Sequence, residues 1–374
     1  MAVNASALVN FSTTGLNVGD YTYSLYALST PSYLPLNSYT NSYLVSSYTA
    51  LGALVVPVIT PVSYTATART LPSTQTWYAV AYGNGVFVAV APSTFSAASS
   101  PDGITWTTRT LPNAIQWFGV AYGGGVFVAV GNSNTGTATT IYATSPDGIT
   151  WTARAFPSSN LWFGVTYGNN RFVVVPQGGS VSLVSTDGIN WTSGTLPSSS
   201  SWYAISYGNG VFVAVPYGTA TTAVSTDGIT WISGTLPSAS NWDAITYGNG
   251  IFVAVSRTSG TIAASSINGI DWTSRTLPTT AGWSGIAYGN NSFVAIATAS
   301  SAAATSPDGI TWTARTLPSS SNWFGVAFGA SKFVAVSSTS GTTAATIDYA
   351  VNATSFVLPV VQTLTGTTAY IKAT

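Results

Sequence analysis

The sequence predicts an all-β fold: a seven-bladed β-propeller of four-stranded antiparallel blades, with a small non-repeat β-rich segment at the N-terminus. The first observation is that tryptophans recur at intervals of 40, 41 or 45 residues, at Trp77, Trp117, Trp162, Trp202, Trp242, Trp283 and Trp323. The second is that short apolar runs, separated by turn residues, fill every interval. A repeat of this length with several short strands is typical of propellers, in which each repeat forms one blade.

The first repeat contains four predicted strands. The first covers residues 77–82, the second residues 86–90, the third ends just before Ser100, and the fourth covers residues 104–110. An Asn-Gly pair between the first two strands tolerates the positive φ of a tight hairpin, and Pro-Asp-Gly makes the turn before the fourth. The repeated Trp and Phe positions are expected to fill the space between neighbouring blades, where burial of each ring stabilises the fold.

The segment before the first repeat resembles the fourth strand of later repeats. Residues 65–72 read Thr-Ala-Thr-Ala-Arg-Thr-Leu-Pro, which closely matches residues 311–318. Our hypothesis is that this segment completes the last blade and closes the ring. The alternative is that residues 351–359, which are also in phase with the repeat, supply that strand. The predicted division is an N-terminal attachment segment at 1–61, a propeller at 62–350, and a strand-like tail at 351–374 that packs near the closing blade.

The chain contains no His, no Cys and no Glu, so all nine acidic residues are Asp. Enzymes draw their acids, bases and nucleophiles mainly from His, Glu, Asp, Cys and Lys, and zinc ligands from His and Cys. We therefore expect no catalytic residues, no cofactor and no metal, and we predict that the protein is not an enzyme. One alternative stays open, a glycan-cleaving enzyme in which Asp243 and Asp271 act as acid and base. Bound calcium also stays open, since Asp and carbonyl oxygens can hold it.

Charge and hydropathy argue against two classes of partner. Nine basic residues balance nine acidic ones without a basic stripe, so we expect no nucleic-acid binding. The most apolar run, residues 51–59, is too short to span a bilayer and contains Pro57, so we expect no membrane insertion. The N-terminus lacks the basic region of a signal peptide. Charged residues make up only 5% of the chain, which favours a packed assembly or an extracellular particle.

The turn Ser-Pro-Asp-Gly-Ile-Thr-Trp at residues 100–106 recurs with small changes in five later repeats. It resembles the Asp-box, or BNR-type, turn of sialidase-like propellers, with one residue fewer between Asp and Gly. In that family the box is a folding element away from the active centre. The resemblance therefore implies that the box side chains accept hydrogen bonds from turn amides. These side chains are Asp102, Asp147, Asp187, Asp227, Asn268 and Asp308.

Sialidase activity does not follow from this resemblance. That family uses an arginine cluster with a tyrosine and glutamate pair, and this chain has no glutamate. Four arginines instead occupy one repeat position, three residues after the second Trp, and equivalent positions of a ring do not converge as a substrate clamp. We expect a structural or solvated role for Arg109, Arg154, Arg275 and Arg315.

The whole repeat is similar to repeats of phage and environmental viral structural proteins. Residues 33–54 are also similar to the phage tail-collar pattern, in which a Leu-Pro-x-Asp/Asn start leads to Tyr-x-x-Leu, although the usual Gly after Asn37 is missing. This resemblance implies a virion appendage protein on the tail or head surface. Residues 1–61 would attach to other virion proteins, with a homotrimer as the implied oligomer.

We accordingly expect a non-enzymatic virion structural protein that displays a propeller for host-surface adhesion or particle decoration. Its outer partner would be a host-surface glycan or receptor. The alternative is a secreted, lectin-like propeller that binds carbohydrate.

Variation between repeats indicates where a ligand would bind. The connection between the second and third strands differs in every repeat, and it lengthens to residues 131–142 in the second. Loops on a rigid scaffold concentrate binding residues. The residue after the first Trp of each repeat also varies, and we expect its aromatic members to be buried between blades. The candidate ligand- or partner-binding residues are Asn132, Asn134, Tyr142, Tyr217, Asp243 and Arg257.

Overall fold

The computed structural model describes the backbone of residues 23–27, 42–45, 55–92, 94–357 and 369–373, and the side chains of residues 64–92 and 94–349. The described residues form antiparallel strand pairs and contain no helix, which confirms the predicted all-β class. Two compact units make up the chain, one of residues 63–350 and one of residues 1–62 together with 351–374.

The strands follow one another in a regular order along the chain. The first fourteen are β1 (Tyr23–Ala27), β2 (Ser42–Val45), β3 (Val55–Gln75), β4 (Ala79–Gly83), β5 (Val86–Val90), β6 (Thr94–Ser100), β7 (Thr107–Gly123), β8 (Val126–Asn132), β9 (Thr139–Ser145), β10 (Thr152–Asn160), β11 (Trp162–Gly168), β12 (Arg171–Pro176), β13 (Val181–Ser185) and β14 (Thr192–Thr195). The others are β15 (Trp202–Gly208), β16 (Val211–Ser225), β17 (Ile232–Gly248), β18 (Ile251–Ser256), β19 (Gly260–Ser266), β20 (Thr273–Gly289), β21 (Ser292–Thr298), β22 (Ser300–Ser306), β23 (Thr313–Ser321), β24 (Trp323–Gly329), β25 (Lys332–Ser337), β26 (Gly341–Val357) and β27 (Ala369–Ala373).

The smaller unit contains a three-stranded sheet in which β27 lies between β1 and β2. The tail strand therefore pairs with strands of the N-terminal segment. The tail-collar-like stretch at residues 33–54 lies outside the described residues, apart from the four residues of β2.

The strands of the first repeat are β4, β5, β6 and the first half of β7. The fourth strand begins at Thr107, later than the predicted residue 104, because the Asp102 carboxylate still holds the amides of Ile104 and Thr105 in the turn. β7 then continues into the second repeat, so it pairs with β6 through its first half and with β8 through its second. Such continuous strands merge neighbouring repeats into sheets of seven and nine strands, whereas β11–β14 form a separate four-stranded sheet.

The last repeat takes its outermost strand from the segment that precedes the first repeat. β3 lies beside β26 in the sheet order β24-β25-β26-β3. The Nε of Arg69 donates a hydrogen bond to Oγ1 of Thr346 at 3.0 Å. This confirms the first of the two hypotheses for ring closure. The same bond to a Ser or Thr hydroxyl is made by Arg109, Arg154, Arg275 and Arg315, so these arginines have a structural role.

Each repeat packs tightly on the next through a glycine at the end of its first strand. A Cβ atom on Gly208 would lie 1.9 Å from Cγ of Tyr247 in the following repeat, so only glycine fits there. The same contact joins Gly329 of the last repeat to the ring of Tyr82 in the first, at 2.1 Å. The contacts between repeats therefore close on themselves. The first Trp of each repeat is fully buried, and Trp202 packs against valines of the preceding repeat.

Strand register separates the two ends of the repeat unit. Ala79 lies opposite Val90 and Gly83 lies opposite Val86, so the first strand starts at the end that carries the connection between the second and third strands. Ser100 lies opposite Phe87, which places the Asp-containing turn at the other end. We call the first of these the loop end and the second the turn end. The variable connections of the sequence all belong to the loop end.

The turn end is stabilised by the six box side chains. In each of them Oδ1 accepts hydrogen bonds from the amides two and three residues later, at 2.8–3.0 Å. The Ser two residues earlier donates its hydroxyl to the same oxygen. Asn268 makes these bonds as the aspartates do, because its amide oxygen presents the same acceptor.

Replacement of one box aspartate distinguishes the effect of its hydrogen-bond acceptor on stability from the effect of its negative charge. We expect Asp147→Ala to lower the free energy of unfolding by about 1 kcal/mol, because two turn amides lose their acceptor. Asp147→Asn should cost less than Asp147→Ala, as Asn268 already serves in the fifth repeat. Urea unfolding of both variants measures this. Equal losses in the two variants would show that charge, and not the acceptor, holds the turn.

The contact between repeats can be tested at one glycine. We expect Gly208→Ala to lower the free energy of unfolding by about 3 kcal/mol, because the added methyl group meets the Tyr247 ring at its fixed Cγ end. Gly260→Ala is the matched control, since its nearest neighbour lies at an ordinary 3.5 Å. Thermal unfolding followed by circular dichroism gives both values, and an equal effect of the two changes would contradict the close-packing account.

Candidate functional site

A cavity of about 220 Å³ is lined by residues from the first strand of every repeat, and we call it the axial cavity. The residue after the first Trp contributes to it in each repeat. These residues are Tyr78, Phe118, Phe163, Tyr203, Asp243, Ser284 and Phe324. The expectation that the aromatic members lie between blades is therefore wrong. Because the repeats close on themselves, the same position of every repeat faces one axis, and the seven side chains converge.

The aromatic members form a continuous cluster on one side of the axial cavity. The ring centroid of Tyr78 lies 3.9 Å from that of Phe324, 5.0 Å from that of Phe118 and 5.8 Å from that of Phe163. The ring of Phe163 continues the cluster to Tyr203 at 4.1 Å. Pairs of this kind stabilise by roughly 0.5–1.5 kcal/mol beyond the area they bury. The cluster forms an apolar wall. At the equivalent position of the fifth and sixth repeats, Asp243 and Ser284 stand in place of an aromatic residue.

Asp243 forms an ion pair with Arg257 at the edge of this wall. The Arg257 Nε lies 3.3 Å from the Asp243 Oδ1, and the side chains are 27% and 0% exposed, respectively. Among the described residues, neither carboxylate oxygen accepts an aligned hydrogen bond. The guanidinium carbon of Arg257 lies 5.3 Å from the ring centroids of Tyr217 and Phe324 and 5.9 Å from that of Tyr203. Cation–π attraction thus holds the arginine while its Nε faces the acid.

Burial changes the proton affinities of this group. Burial raises the pKa of the Asp243 carboxyl to about 7, even though the charge of Arg257 acts in the opposite direction. Burial alone would lower the pKa of Arg257, but the negative charge of Asp243 keeps it above its ordinary value. Burial, and then the charge of Asp243, raise the pKa of both Tyr78 and Tyr203. Asp243 is therefore the member of this group that titrates near neutral pH.

The structure brings together three of the six candidate residues of the sequence. Tyr217, Asp243 and Arg257 form the group just described, with the Tyr217 ring 4.8 Å from that of Tyr203. Of these three, Asp243 lines the axial cavity, whereas Tyr217 and Arg257 contact the group from beside it. The other three candidates lie in the second repeat and do not line the cavity. Asn134 is exposed in a turn, Asn132 is the buried last residue of β8, and Tyr142 is fully buried.

Tyr142 packs one repeat against the next. Its hydroxyl accepts a hydrogen bond from the Nε1 of Trp191 at 2.9 Å and donates toward the carbonyl oxygen of Gly188. Both partners belong to the Asp-containing turn of the third repeat. Tyr142 thus serves the contact between repeats, although the sequence places it beside a variable loop.

The acid–base pair considered from the sequence does not form. Asp243 is buried at the axial cavity, whereas Asp271 is exposed and accepts a hydrogen bond from the Asn268 side chain in a turn. Within residues 64–92 and 94–349, no three acidic side chains come close enough to hold a metal ion. Within the described residues, no helix is long and apolar enough to cross a membrane.

The sequence reasoning missed the convergence of Tyr78, Phe118, Phe163 and Phe324. The signal was present, because these residues share one position in the repeat, and that position changes between aromatic, acidic and small side chains. Arg257 also carried a signal, since it lies outside the position that the structural arginines occupy. The sequence did not show that this position faces the axis rather than the neighbouring blade.

Solved structures with the same fold belong to β-propeller proteins. A streptogramin B lyase has a TM-score of 0.68 at 13% identity, over 77% of this chain and 98% of its own. A catalytically inactive virginiamycin B lyase from Staphylococcus aureus with quinupristin has the same score and identity, over 76% and 99%. YCF48 bound to D1 peptide has a TM-score of 0.61 at 17% identity, over 80% and 99%. These likenesses confirm the β-propeller fold. No protein-family model and no curated protein matches the chain.

The comparison overturns the prediction that the protein is not an enzyme. An enzyme, the lyase, shares this fold over nearly its whole length, at 13% identity. The composition argument rested on the absence of His, Cys and Glu, but the chain still contains aspartates. A buried carboxyl such as that of Asp243, with a pKa of about 7, lies in the range where general acids and bases work.

The raised pKa of Asp243 predicts a pH dependence of stability. The folded state binds this proton more tightly than the unfolded chain, where the carboxyl has its ordinary pKa of 3.8. The stabilising contribution is therefore complete below about pH 4 and is lost as the pH rises through about 7, by up to about 4 kcal/mol. Asp243→Asn should remove this component, so the variant gains stability relative to the parent as the pH rises.

Urea unfolding of both proteins at about pH 5 and about pH 8 measures this difference. Both proteins contain the same turn aspartates, so the contribution of these residues cancels in the difference between variant and parent. Among them, hydrogen bonds from turn amides are the largest cause of the lowered pKa of Asp102 and of Asp147. A constant difference between variant and parent across this interval would contradict the titration of Asp243.

Proposed function

We propose that residues 63–350 form seven blades of four antiparallel strands and that this propeller binds a ligand at the loop end of the axial cavity. The blade count is supported by the seven first strands that line the cavity and by the contact of Gly329 with Tyr82. Four strands per blade are supported by the pairing of β11–β14 and by β3 beside β26. The observation that carries the binding role is the ion pair of Asp243 and Arg257 among converging aromatic rings.

The propeller would serve attachment on a virion, at the tail or head surface. This part of the proposal is supported by the similarity of the repeat to phage structural proteins and by the low content of charged residues. Residues 1–61 would join other virion proteins, and the loop end would face a host-surface glycan or receptor. This part of the proposal is also supported by the contrast between the two ends, since the connections at the loop end vary more between repeats than the box turns at the turn end.

The compared propellers support ligand binding by this fold. One of them is described with a bound peptide and another with quinupristin. The inactive lyase carries a histidine-to-alanine change, and this chain contains no histidine. A reaction that depends on that histidine therefore has no counterpart here.

A lectin-like, carbohydrate-binding role is the second candidate. It is favoured by Tyr217, whose partly exposed ring lies beside the guanidinium of Arg257. Aromatic faces next to a polar group suit a sugar ring, because the flat apolar face of the sugar packs on the ring while its polar groups meet the charge.

Labelling of particles tests the location. We expect an antibody raised against the full chain to place immunogold on tails, fibres or heads of particles purified from the source. Label on tail tips would support host recognition, and label spread over the head would support decoration. Antigen found only in soluble fractions would overturn the virion role and favour the lectin-like candidate.

Competition tests the site. We expect the purified full chain to reduce adsorption of particles to host cells, and Arg257→Ala to reduce that competition at least tenfold, because the ligand loses its charged contact. Arg109→Ala is the matched control, since Arg109 bonds to Ser99 within its own repeat. Equal competition by the parent chain and both variants would show that the ligand binds elsewhere.

A further inference from the structure

At the loop end, beside the axial cavity, the more exposed member of the ion pair is the cation. The Arg257 side chain is 27% exposed, whereas the Asp243 side chain is 0% exposed. Arg257 lies in the short connection between β18 and β19, at the loop end, and its backbone amide is anchored to the carbonyl oxygen of Asn241. A solute that enters from the loop end therefore reaches the guanidinium before it reaches the carboxylate.

We infer that this site binds a carboxylate group, which the Arg257 guanidinium receives while the Tyr217 ring contacts the apolar part of the same ligand. This inference rests on the proposed ligand-binding role and assigns the chemistry of the ligand. Two sources share that chemistry, an acidic sugar and the C-terminus of a peptide.

The ion pair orients the arginine for this task. The Nε atom is the one that faces Asp243, at 3.3 Å. A guanidinium carries five N–H donors in a planar fork, so a partner at Nε leaves the opposite edge for a second acceptor with two oxygens. The rings of Tyr217 and Phe324 lie within 5.3 Å of the guanidinium carbon and restrict its plane. Preorganisation of this kind reduces the entropy lost on binding.

Asp243 also makes the affinity depend on one proton. When its carboxylate is ionised, it neutralises Arg257; when it is protonated, the positive charge is left for the ligand. The charged and titratable groups around the pair are Tyr78 just before β4, Tyr203 on β15 and Tyr217 on β16. Burial keeps the pKa of Tyr78 and Tyr203 above the ordinary value, so neither ionises near neutral pH. Binding of a carboxylate should therefore take up a proton on Asp243.

A cationic ligand for Asp243 is less well supported. The carboxylate is fully buried behind Arg257, so a cation would first have to displace the guanidinium from three aromatic rings. The two cases differ in the effect of removing the arginine. Arg257→Ala should weaken binding of an acid at least tenfold but should improve binding of an organic cation.

Calorimetric titration of the full chain with glucuronate tests the inference, with glucose as the uncharged ligand of similar ring shape. We expect glucuronate to bind at millimolar concentration and glucose to bind at least tenfold more weakly. With the Asp243 pKa near 7, affinity for glucuronate should be about tenfold lower at pH 8 than at pH 6. Asp243→Asn should bind with no such pH dependence, and Arg109→Ala should behave as the parent chain. The same titration with acetylalanine in place of glucuronate tests whether the site binds the carboxylate of a peptide C-terminus.

A second variant, Arg257→Lys, keeps the positive charge but removes the planar guanidinium with its paired N–H donors. Both Arg257→Lys and Arg257→Ala should lose at least tenfold in affinity for glucuronate. Circular dichroism should show that both variants remain folded. Glucose and glucuronate binding equally would overturn the carboxylate inference and leave the ligand-binding role intact. Binding of neither acid, or acid binding that survives Arg257→Ala, would also overturn the inference. Tetramethylammonium binding that improves in Arg257→Ala would assign the site to cations instead. The proposed function fails separately, by the adsorption competition described above.

Discussion

The close approach of each first strand to an aromatic ring of the next repeat is the contact on which the architecture depends. At Gly208 there is no space for a Cβ atom, and the ring of Tyr247 fills the place that it would take. The same contact at Gly329 meets Tyr82, so the last repeat packs on the first as any repeat packs on its successor. Because each interface has nearly the same geometry, the angle between successive repeats is repeated until the ring closes.

Closure has a chemical consequence at the axis. One position of the repeat, the residue after the first Trp, is presented seven times to one cavity. A substitution at this position, or at the two positions that follow it and also line the cavity, changes a space that the repeats share. The chain places aromatic residues at five of these positions and places Asp243 and Ser284 at the other two. The turn end, in contrast, repeats the same hydrogen bonds in each box and supplies stability.

The ion pair of Asp243 and Arg257 is costly for stability alone. A fully buried carboxylate without an aligned hydrogen bond loses hydration that one contact at 3.3 Å does not fully replace. The raised pKa of Asp243 is the expression of that cost. Local departures of this kind, on an otherwise consistent scaffold, are typical of functional sites. The Tyr217 and Tyr203 rings provide a partial replacement for water around the guanidinium, and they hold it where solvent still reaches it.

The period of the tryptophans and the turn residues by themselves determined the all-β propeller fold, because both depend on local spacing and backbone conformation. The match of residues 65–72 to residues 311–318 likewise indicated the closing strand, since equivalent strands share their side-chain pattern. Three of the site residues, Tyr217, Asp243 and Arg257, stood out as departures from the repeat. Only the tertiary structure decided that they meet, and that Asn132 and Tyr142 serve packing. The physical reason is that contact between residues of different repeats depends on the rotation between repeats, which packing at every interface determines. The raised pKa of Asp243 likewise depends on the water that this packing excludes.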